Sequence, residues 1–274
     1  MYQWHFRLTG DLTLPPLVLL HGWMGSCEDY LEIIELLRSR FYCIAIDLPG
    51  HGKTEVIDRD CGYDFVNTAI GMIQLLDSLG INNCTIAGYS FGGRLALYLA
   101  LEFPDRFDRV ILESTSSGLA TASDRQARIE RDRQIITRLN TNPFDDFVRS
   151  WYQQSLFIGI DDRPSFLELI DRRVATNQPH QLAKSLQFAG LGMQPYLGDR
   201  LKVYPRSISL IVGALDRKFV DINQAIDREC PNTQLTIVPN CSHNVHFQNP
   251  QAWLDCLTGN KKFKFPDPHN PIIN

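Results

Sequence analysis

The chain has 274 residues, of which 44% are hydrophobic and 21% are charged, with 18 glycines and 15 prolines. These proportions are those of an ordinary globular protein, and they exclude a collagen, a coiled coil, a disulfide scaffold and a disordered chain. The 27 Lys and Arg residues against 31 Asp and Glu residues give a net charge of −4, which argues against a protein that binds nucleic acid or anionic membranes.

Strand and helix patterns alternate along the chain. Short apolar runs bounded by turn residues are typical of strands that are buried on both faces of a parallel sheet. In chain order, such runs occur at residues 16–20, 42–46, 85–87, 109–112, 208–212 and 234–238. Helical patterns lie between the first four runs, at residues 28–38, 65–79 and 94–103. This alternation predicts an α/β fold with a mostly parallel sheet that is covered by helices on both faces.

The stretch from residue 116 to residue 201 interrupts the alternation. It contains no strand-like run, and its patterns are helical at residues 124–139, 144–157, 165–174 and 180–188. We therefore expect one α/β core, formed by residues 1–115 and 202–274, with a helical cap (lid) at residues 116–201.

Seven cysteines, an odd number without a C-x-x-C pair, argue against a disulfide framework and favour a reducing compartment. The first residues, Met-Tyr-Gln-Trp-His-Phe-Arg, lack the basic and then apolar order of a signal peptide. No apolar run approaches the length of a membrane span. We therefore expect a cytoplasmic protein.

The sharpest motif is Gly88-Tyr-Ser-Phe-Gly92, directly after the predicted strand at residues 85–87 and directly before a predicted helix. This is the setting of a nucleophile elbow, in which glycines permit a strained turn that lifts the serine hydroxyl above the sheet edge. The motif also occurs by chance, and the alternative is a plain glycine-rich turn. Its position favours Ser90 as a catalytic residue.

His21-Gly22-Trp23 follows the first predicted strand, where hydrolases of this type place one donor of an oxyanion hole. The backbone N–H groups of Trp23 and Phe91 would then converge on a substrate oxygen. Taken alone, a His-Gly pair after a strand is equally typical of an ordinary turn.

Acid and histidine candidates follow the two last strands. Asp216 comes after residues 208–212 and His243 comes after residues 234–238, so the chain order is serine, acid, histidine, as expected for this type of fold. Asp216 would orient His243, and His243 would move the Ser90 proton. Each residue alone is more typical of a structural role, but the three placements together fit one template.

Other candidates are weaker. Asp171 and Asp221 do not follow a strand end, and His246 competes with the histidine chosen above. Asp47 and His51 belong to a turn after the second strand, and we interpret both as structural. The chain shows neither metal-ligand spacing nor a dinucleotide fingerprint, so we predict no metal and no cofactor.

Together these residues resemble a family within the α/β-hydrolases, the 2-succinyl-6-hydroxy-2,4-cyclohexadiene-1-carboxylate synthases (MenH family) of menaquinone and phylloquinone biosynthesis. The resemblance extends from Leu17 to about Pro250. The segments that match the family pattern most specifically are residues 88–94, 125–133, 151–154, 194–195 and 213–219. The chain departs from the pattern at Ser242, where the family has glycine, and at Gln248, where it has glutamate.

The resemblance implies a lyase. In this family the triad serine acts as a base with the histidine behind it, and takes a proton from the ring of 2-succinyl-5-enolpyruvyl-6-hydroxy-3-cyclohexene-1-carboxylate. Pyruvate then leaves and the diene forms, without a covalent acyl-enzyme. An oxyanion hole still fits this chemistry, because deprotonation next to a carbonyl builds negative charge on its oxygen.

The substrate carries several carboxylates, and the resemblance implies that arginines bind them. Arg94 would lie at the mouth of the site, and Arg128 and Arg173 (or its neighbour Arg172) would reach it from the cap. Guanidinium groups bind carboxylates through paired hydrogen bonds. Alternatively, the cap arginines form a solvated helix face. The family match also places Tyr89 and Trp151 in this pocket.

Two other functions stay open at this stage. A serine hydrolase, either an esterase or a carbon–carbon bond hydrolase, would use Ser90 as a nucleophile and fits the triad equally well. A binding protein that keeps the pocket is the third possibility. We expect a small-molecule polycarboxylate as the partner, no nucleic acid and no membrane span, and the oligomeric state is left open.

Overall fold

The computed structural model describes residues 1–57 and 60–258, and in this part of the chain seven strands form the main sheet. The strands, including a separate antiparallel pair formed by β1 and β5, are β1 Tyr2–Gln3, β2 Phe6–Thr9, β3 Pro16–Leu20, β4 Tyr42–Ile46, β5 Glu55–Val56, β6 Cys84–Tyr89, β7 Phe107–Glu113, β8 Ile208–Gly213 and β9 Thr233–Val238. The order across the main sheet is β2-β4-β3-β6-β7-β8-β9. Within this main sheet only β2 is antiparallel to its neighbour, which confirms the predicted α/β fold.

Helices cover both faces of the sheet. In chain order they are α1 Leu31–Leu37, α2 Phe65–Ser78, α3 Phe91–Glu102, α4 Ala122–Thr141, α5 Phe144–Tyr152, α6 Phe166–Thr176, α7 Pro179–Ala189, α8 Gly198–Lys202, α9 Arg217–Glu229, α10 Val245–Gln248 and α11 Pro250–Thr258. Strand β3 shows why both faces are apolar: Val18 and Leu20 pack in one cluster with α2 and α3, whereas Leu17 and Leu19 pack in another with α1 and α11. Alternate side chains of a strand point to opposite faces, so a strand buried on both sides is apolar throughout.

Helices α4 to α7 lie between β7 and β8 and form most of a third apolar cluster, which includes Phe147, Ile170 and Leu182 and is joined by Met24 and Phe247 from outside this segment. This helical segment lies within residues 116–201, and we continue to propose that it is a cap. Its boundaries at residues 116 and 201 remain a prediction, and residues 259–274 of the predicted core lie outside the described residues. No helix in the described part of the chain is both long enough and apolar enough to cross a membrane.

Arginines of the cap bind acids near the start of α1. Arg173 in α6 is 1% exposed and pairs with the buried carboxylate of Asp29, while its Nε donates to the Tyr152 hydroxyl over 2.9 Å. Nearer the solvent, Arg163 lies 2.8 Å from Glu32. The buried Arg173–Asp29 pair and the more exposed Arg163–Glu32 pair thus both join the cap to the core.

Candidate active site

The turn between β6 and α3 has the strained geometry of a nucleophile elbow. Ser90 adopts φ 49° and ψ −104°, a backbone conformation that residues other than glycine rarely adopt. A Cβ atom at Gly92 would lie 2.3 Å from the Leu20 carbonyl oxygen, and one at Gly88 would lie 2.4 Å from the Gly92 carbonyl oxygen. Glycine is therefore required on both sides of Ser90 for α3 to start this close to the strands.

The structure brings Ser90, His243 and Asp216 together at the carboxyl edge of the sheet. His243 Nδ1 lies 2.6 Å from Asp216 Oδ2, and His243 Nε2 lies 2.9 Å from Ser90 Oγ. Because an ionised carboxylate only accepts, Nδ1 carries the proton and Nε2 can accept from the Ser90 hydroxyl. His243 is 2% exposed and Asp216 is 3% exposed, so their interaction is only weakly screened by water.

Two contacts hold the loop that carries this histidine. The backbone N–H of His243 donates to the Leu156 carbonyl of the cap over 3.1 Å. Ser242 donates from its backbone N–H and its hydroxyl to Gln248 Oε1 over 2.7 and 2.8 Å. The two positions at which the sequence departs from the family pattern therefore bond to each other, and the amide oxygen of Gln248 still anchors the loop.

A cavity of about 380 Å³ opens above the triad. Seven of the predicted site residues surround this one space, namely Trp23, Ser90, Phe91, Arg94, Arg128, Trp151 and His243. The rings of Trp23 and Trp151 form one wall of the cavity, with their centroids 4.6 Å apart. The backbone roles of Trp23 and Phe91 in an oxyanion hole stay predictions.

Four cationic side chains line the same cavity, and none of the lining residues within 1–57 and 60–258 is acidic. They are Arg94, Arg128, Arg131 and Lys218. A mostly apolar cavity with several positive charges and no carboxylate among these residues favours an anionic ligand. The cavity therefore suits a polycarboxylate better than a neutral ester.

Arg94 lies deeper than the sequence suggested. It was expected at the mouth, but it is 8% exposed and donates to the Ala189 carbonyl over 3.2 Å and to Gln194 Oε1 over 2.9 Å. Its guanidinium lies 5.0 Å from the Phe91 ring centroid. Burial, and then the positive charge of Arg128, lower the Arg94 pKa, so a carboxylate beside it would relieve both effects.

Arg131 and Lys218 at the cavity are residues that the sequence analysis missed. Arg128 already pairs with Asp132 over 2.7 Å, whereas neither Arg131 nor Lys218 has an ion pair among the described residues. Surrounding protein atoms, and then Arg128 and Arg131, lower the Lys218 pKa. The signals for Lys218 in the sequence are its position two residues after Asp216 and its place in the segment 213–219 that matches the family pattern.

Two predicted pocket residues are not brought to the cavity. Arg173 is held away by the buried Asp29 carboxylate, and the alternative, Arg172, lies 3.5 Å from the same carboxylate oxygen. Tyr89 is buried behind the triad, where its ring centroid lies 5.4 Å from that of His243. In each case the competing partner comes from a distant part of the chain, which a local motif does not reveal.

The competing candidates are also resolved by position. His246 pairs with Glu113 instead of the triad serine, and Asp216, rather than Asp171 or Asp221, contacts His243. A larger cavity of about 590 Å³ lies between α4 and α7 and is lined by none of the triad residues.

One group in the described residues has the composition of a metal site. Ligand atoms of His5, Cys27 and Asp47 lie within 4.8 Å of one another. Asp47 accepts from the His5 ring over 2.7 Å and from the backbone N–H groups of Cys27 and Lys53 over 2.6 and 2.8 Å. These hydrogen bonds account for the cluster as a brace for the turn after β4, in agreement with the structural role predicted for Asp47.

Comparisons with known proteins identify the family of this chain. The family model of the alpha/beta hydrolase fold matches residues 15–250. A 2-succinyl-6-hydroxy-2,4-cyclohexadiene-1-carboxylate synthase from Escherichia coli O1:K1 is 34% identical over 250 residues, which cover 90% of this chain and 94% of the relative. A protein of the same name from Yersinia pestis is 32% identical over 240 residues, with 87% and 84% covered.

A solved structure described as MenH from S. aureus has a TM-score of 0.86 to this chain at 28% identity, and the match covers 93% of this chain and 97% of that one. The likeness therefore extends over the core and the cap together. The chain belongs to the 2-succinyl-6-hydroxy-2,4-cyclohexadiene-1-carboxylate synthase family within the alpha/beta hydrolase fold.

Proposed function

We propose that this chain eliminates pyruvate from 2-succinyl-5-enolpyruvyl-6-hydroxy-3-cyclohexene-1-carboxylate, a step of menaquinone or phylloquinone biosynthesis. The relatives are named for the diene product of this reaction. The observation that carries the proposal is the cavity in which Ser90 and His243 face four cationic side chains without an acidic one among the described lining residues. A substrate with three carboxylates, on the ring, the succinyl group and the enolpyruvyl group, matches that charge.

The elimination needs a base near the ring carbon that bears the succinyl group. Ser90 Oγ takes the proton from this carbon and passes its own proton to His243 Nε2, whose positive charge Asp216 stabilises. The electron pair forms the bond between ring carbons 2 and 3, the existing double bond moves to carbons 4 and 5, and the carbon 5–oxygen bond breaks. The enolate of pyruvate leaves and is protonated, so atoms and electrons balance.

Negative charge builds on the succinyl carbonyl oxygen as the proton leaves. Backbone N–H groups of Trp23 and Phe91 would stabilise it, and the positive end of the α3 dipole would add to the effect. Arg94 and Arg128, with Arg131 and Lys218, would bind the carboxylates that do not react. The protein then supplies a base, an oxyanion site and fixed positive charge, and each comes from its own residues.

The test is pyruvate release by the purified full-length protein. We expect release from the enolpyruvyl substrate, detected by coupling to lactate dehydrogenase and NADH, with slow turnover of neutral short-chain esters. Intact-mass analysis of quenched reactions should show no acyl adduct on Ser90. Fast ester turnover with an acyl adduct, and no pyruvate, would instead establish the hydrolase.

Lys218 provides a test of the charge argument. We expect Lys218→Met to raise KM for the polycarboxylate about fivefold with little change in kcat, because it removes one exposed charge-assisted contact of about 1 kcal/mol. Lys202→Met, which removes an exposed lysine that pairs with Glu229 elsewhere, is the matched control for net charge. Equal KM changes in both variants would show that Lys218 does not touch the substrate.

The lowered Lys218 pKa also fixes the sign of a pH effect. The pKa of Lys218 lies below the ordinary lysine value of about 10.4. As the pH rises through that pKa, Lys218 loses the positive charge that attracts the carboxylates, so KM should rise with pH in the alkaline range. Lys218→Arg keeps the charge over this range and should flatten the rise. An identical rise in Lys218→Arg would assign it to another group.

A further inference from the structure

We propose that Glu113 is a positioning residue that sets the distance between Ser90 and His243. Glu113 is the last residue of β7 and is paired in register with Tyr89, the residue before Ser90. Its backbone carbonyl accepts a hydrogen bond from the Ser90 N–H over 2.8 Å. One end of Glu113 therefore fixes the backbone of the strained elbow.

The side chain of the same residue holds the histidine loop. Glu113 Oε1 accepts from the backbone N–H of His246 over 3.1 Å, and Glu113 Oε2 accepts from His246 Nδ1 over 2.8 Å. His246 lies three residues after His243 in the same loop. Glu113 is thus bonded to the backbone of the serine through its main chain and to the loop of the catalytic histidine through its carboxylate.

The surroundings make this connection stiff. Glu113 is 1% exposed and His246 is 2% exposed, so water does not compete for their hydrogen bonds. The His246 ring stacks on Tyr30 at 4.8 Å between centroids and meets the edge of Tyr89 at 5.0 Å. Since Tyr89 also packs 5.4 Å from His243, the pair forms a buried layer directly behind the triad.

This arrangement explains a buried acidic side chain that the chemistry itself does not use. An acid kept in the core must be hydrogen-bonded, and here both carboxylate oxygens bond to His246 while the Glu113 carbonyl bonds to the Ser90 N–H. Glu113 thus connects the two segments whose separation determines the 2.9 Å contact between Ser90 Oγ and His243 Nε2. Displacing reacting groups by about 1 Å costs about 100-fold in rate. Loss of the carboxylate should therefore slow the triad without changing the cavity that binds the substrate.

The experiment compares Glu113→Gln with the wild-type protein. We expect kcat to fall about 10- to 100-fold with KM nearly unchanged, and the rate of Ser90 labelling by a fluorophosphonate to fall in parallel. The labelling arm needs no substrate, so it reports on the triad even if the proposed reaction is not found. Leu76→Ala is the control for lost stability, because it leaves a cavity at a fully buried position of α2. This variant should keep the wild-type kcat and the wild-type rate of labelling.

A pair of variants at His246 covers the case in which Glu113→Gln does not fold. His246→Asn keeps a side-chain donor for the carboxylate and should retain most of kcat, whereas His246→Leu has none and should lose kcat as Glu113→Gln does. Wild-type kcat and labelling in folded Glu113→Gln or His246→Leu would overturn the proposal. So would equal losses in Leu76→Ala at the same melting temperature.

Discussion

Ser90→Ala is expected to lower kcat for pyruvate release by about 10²- to 10⁴-fold, the usual contribution of a positioned base. The variant removes the one oxygen that lies 2.9 Å from His243 Nε2. KM should change little, since the cationic side chains of the cavity remain and bind the substrate in its ground state. The measurement is steady-state kinetics of pyruvate release with the variant and the wild type.

Ser78→Ala is the matched control for this prediction. Ser78 ends α2, and its hydroxyl donates to the Leu75 carbonyl over 2.7 Å, away from the triad, so this variant should turn over at the wild-type rate. A folded Ser90→Ala protein with half of the wild-type kcat would exclude Ser90 as the base. His243 would then have to take the ring proton directly.

The second large effect is on stability. Asp29→Asn is expected to reduce the free energy of unfolding by about 3–5 kcal/mol, the cost of leaving one member of a buried ion pair without its partner. Burial lowers the Arg173 pKa, but the negative charge of Asp29 outweighs burial, so the net shift of the Arg173 pKa is upward. Without the carboxylate, a guanidinium that is 1% exposed stays charged in the interior. Urea unfolding of both proteins measures the difference.

The pH dependence of this effect has a definite sign. Burial raises the Asp29 pKa, but Arg173 overcomes it and the net shift is downward. A depressed acid pKa gives stability that is present above the unfolded value of about 3.9 and is lost as the pH falls through the folded value. The difference between wild type and Asp29→Asn should therefore be full at neutral pH and shrink below about pH 4.

Glu32→Gln is the control for the buried pair. Its partner Arg163 also belongs to the cap, but both side chains are partly exposed, so we expect less than about 1 kcal/mol. Equal losses in Asp29→Asn and Glu32→Gln would show that burial of the Arg173 pair contributes nothing extra.

The sheet, and the meeting of Ser90, Asp216 and His243 at its edge, could be predicted because their signals are local. Each strand is a short apolar run, and Ser90, Asp216 and His243 each follow such a run. The edge strand Phe6–Thr9 was missed because its residues are mostly exposed or half-buried. It pairs with β4 through backbone hydrogen bonds, and the pattern of its side chains does not indicate this pairing.

The pocket residues were harder to predict, because a side chain can line the cavity only if no other group in the fold binds it first. Arg173 matched a family position, yet the Asp29 carboxylate, contributed by a turn more than a hundred residues earlier, is its partner here. Lys218 lies in the segment 213–219 that matched the family pattern, but nothing in that match assigned it to the pocket, and it meets Arg131 only in the folded chain, where both line one cavity. Side-chain pairing across distant segments is set by tertiary structure, and sequence patterns describe neighbours along the chain.

The hydrogen bond from the His243 backbone to the Leu156 carbonyl has a consequence for protein engineering. In the mechanism we propose, the cap would help to aim the proton acceptor of the triad, in addition to covering the substrate. Replacing the cap with that of another α/β-hydrolase, in order to graft a new specificity, would also remove a support of the imidazole. We therefore expect that the segment that determines specificity cannot be exchanged without affecting reactivity. A chimera would need another acceptor for the backbone N–H of His243.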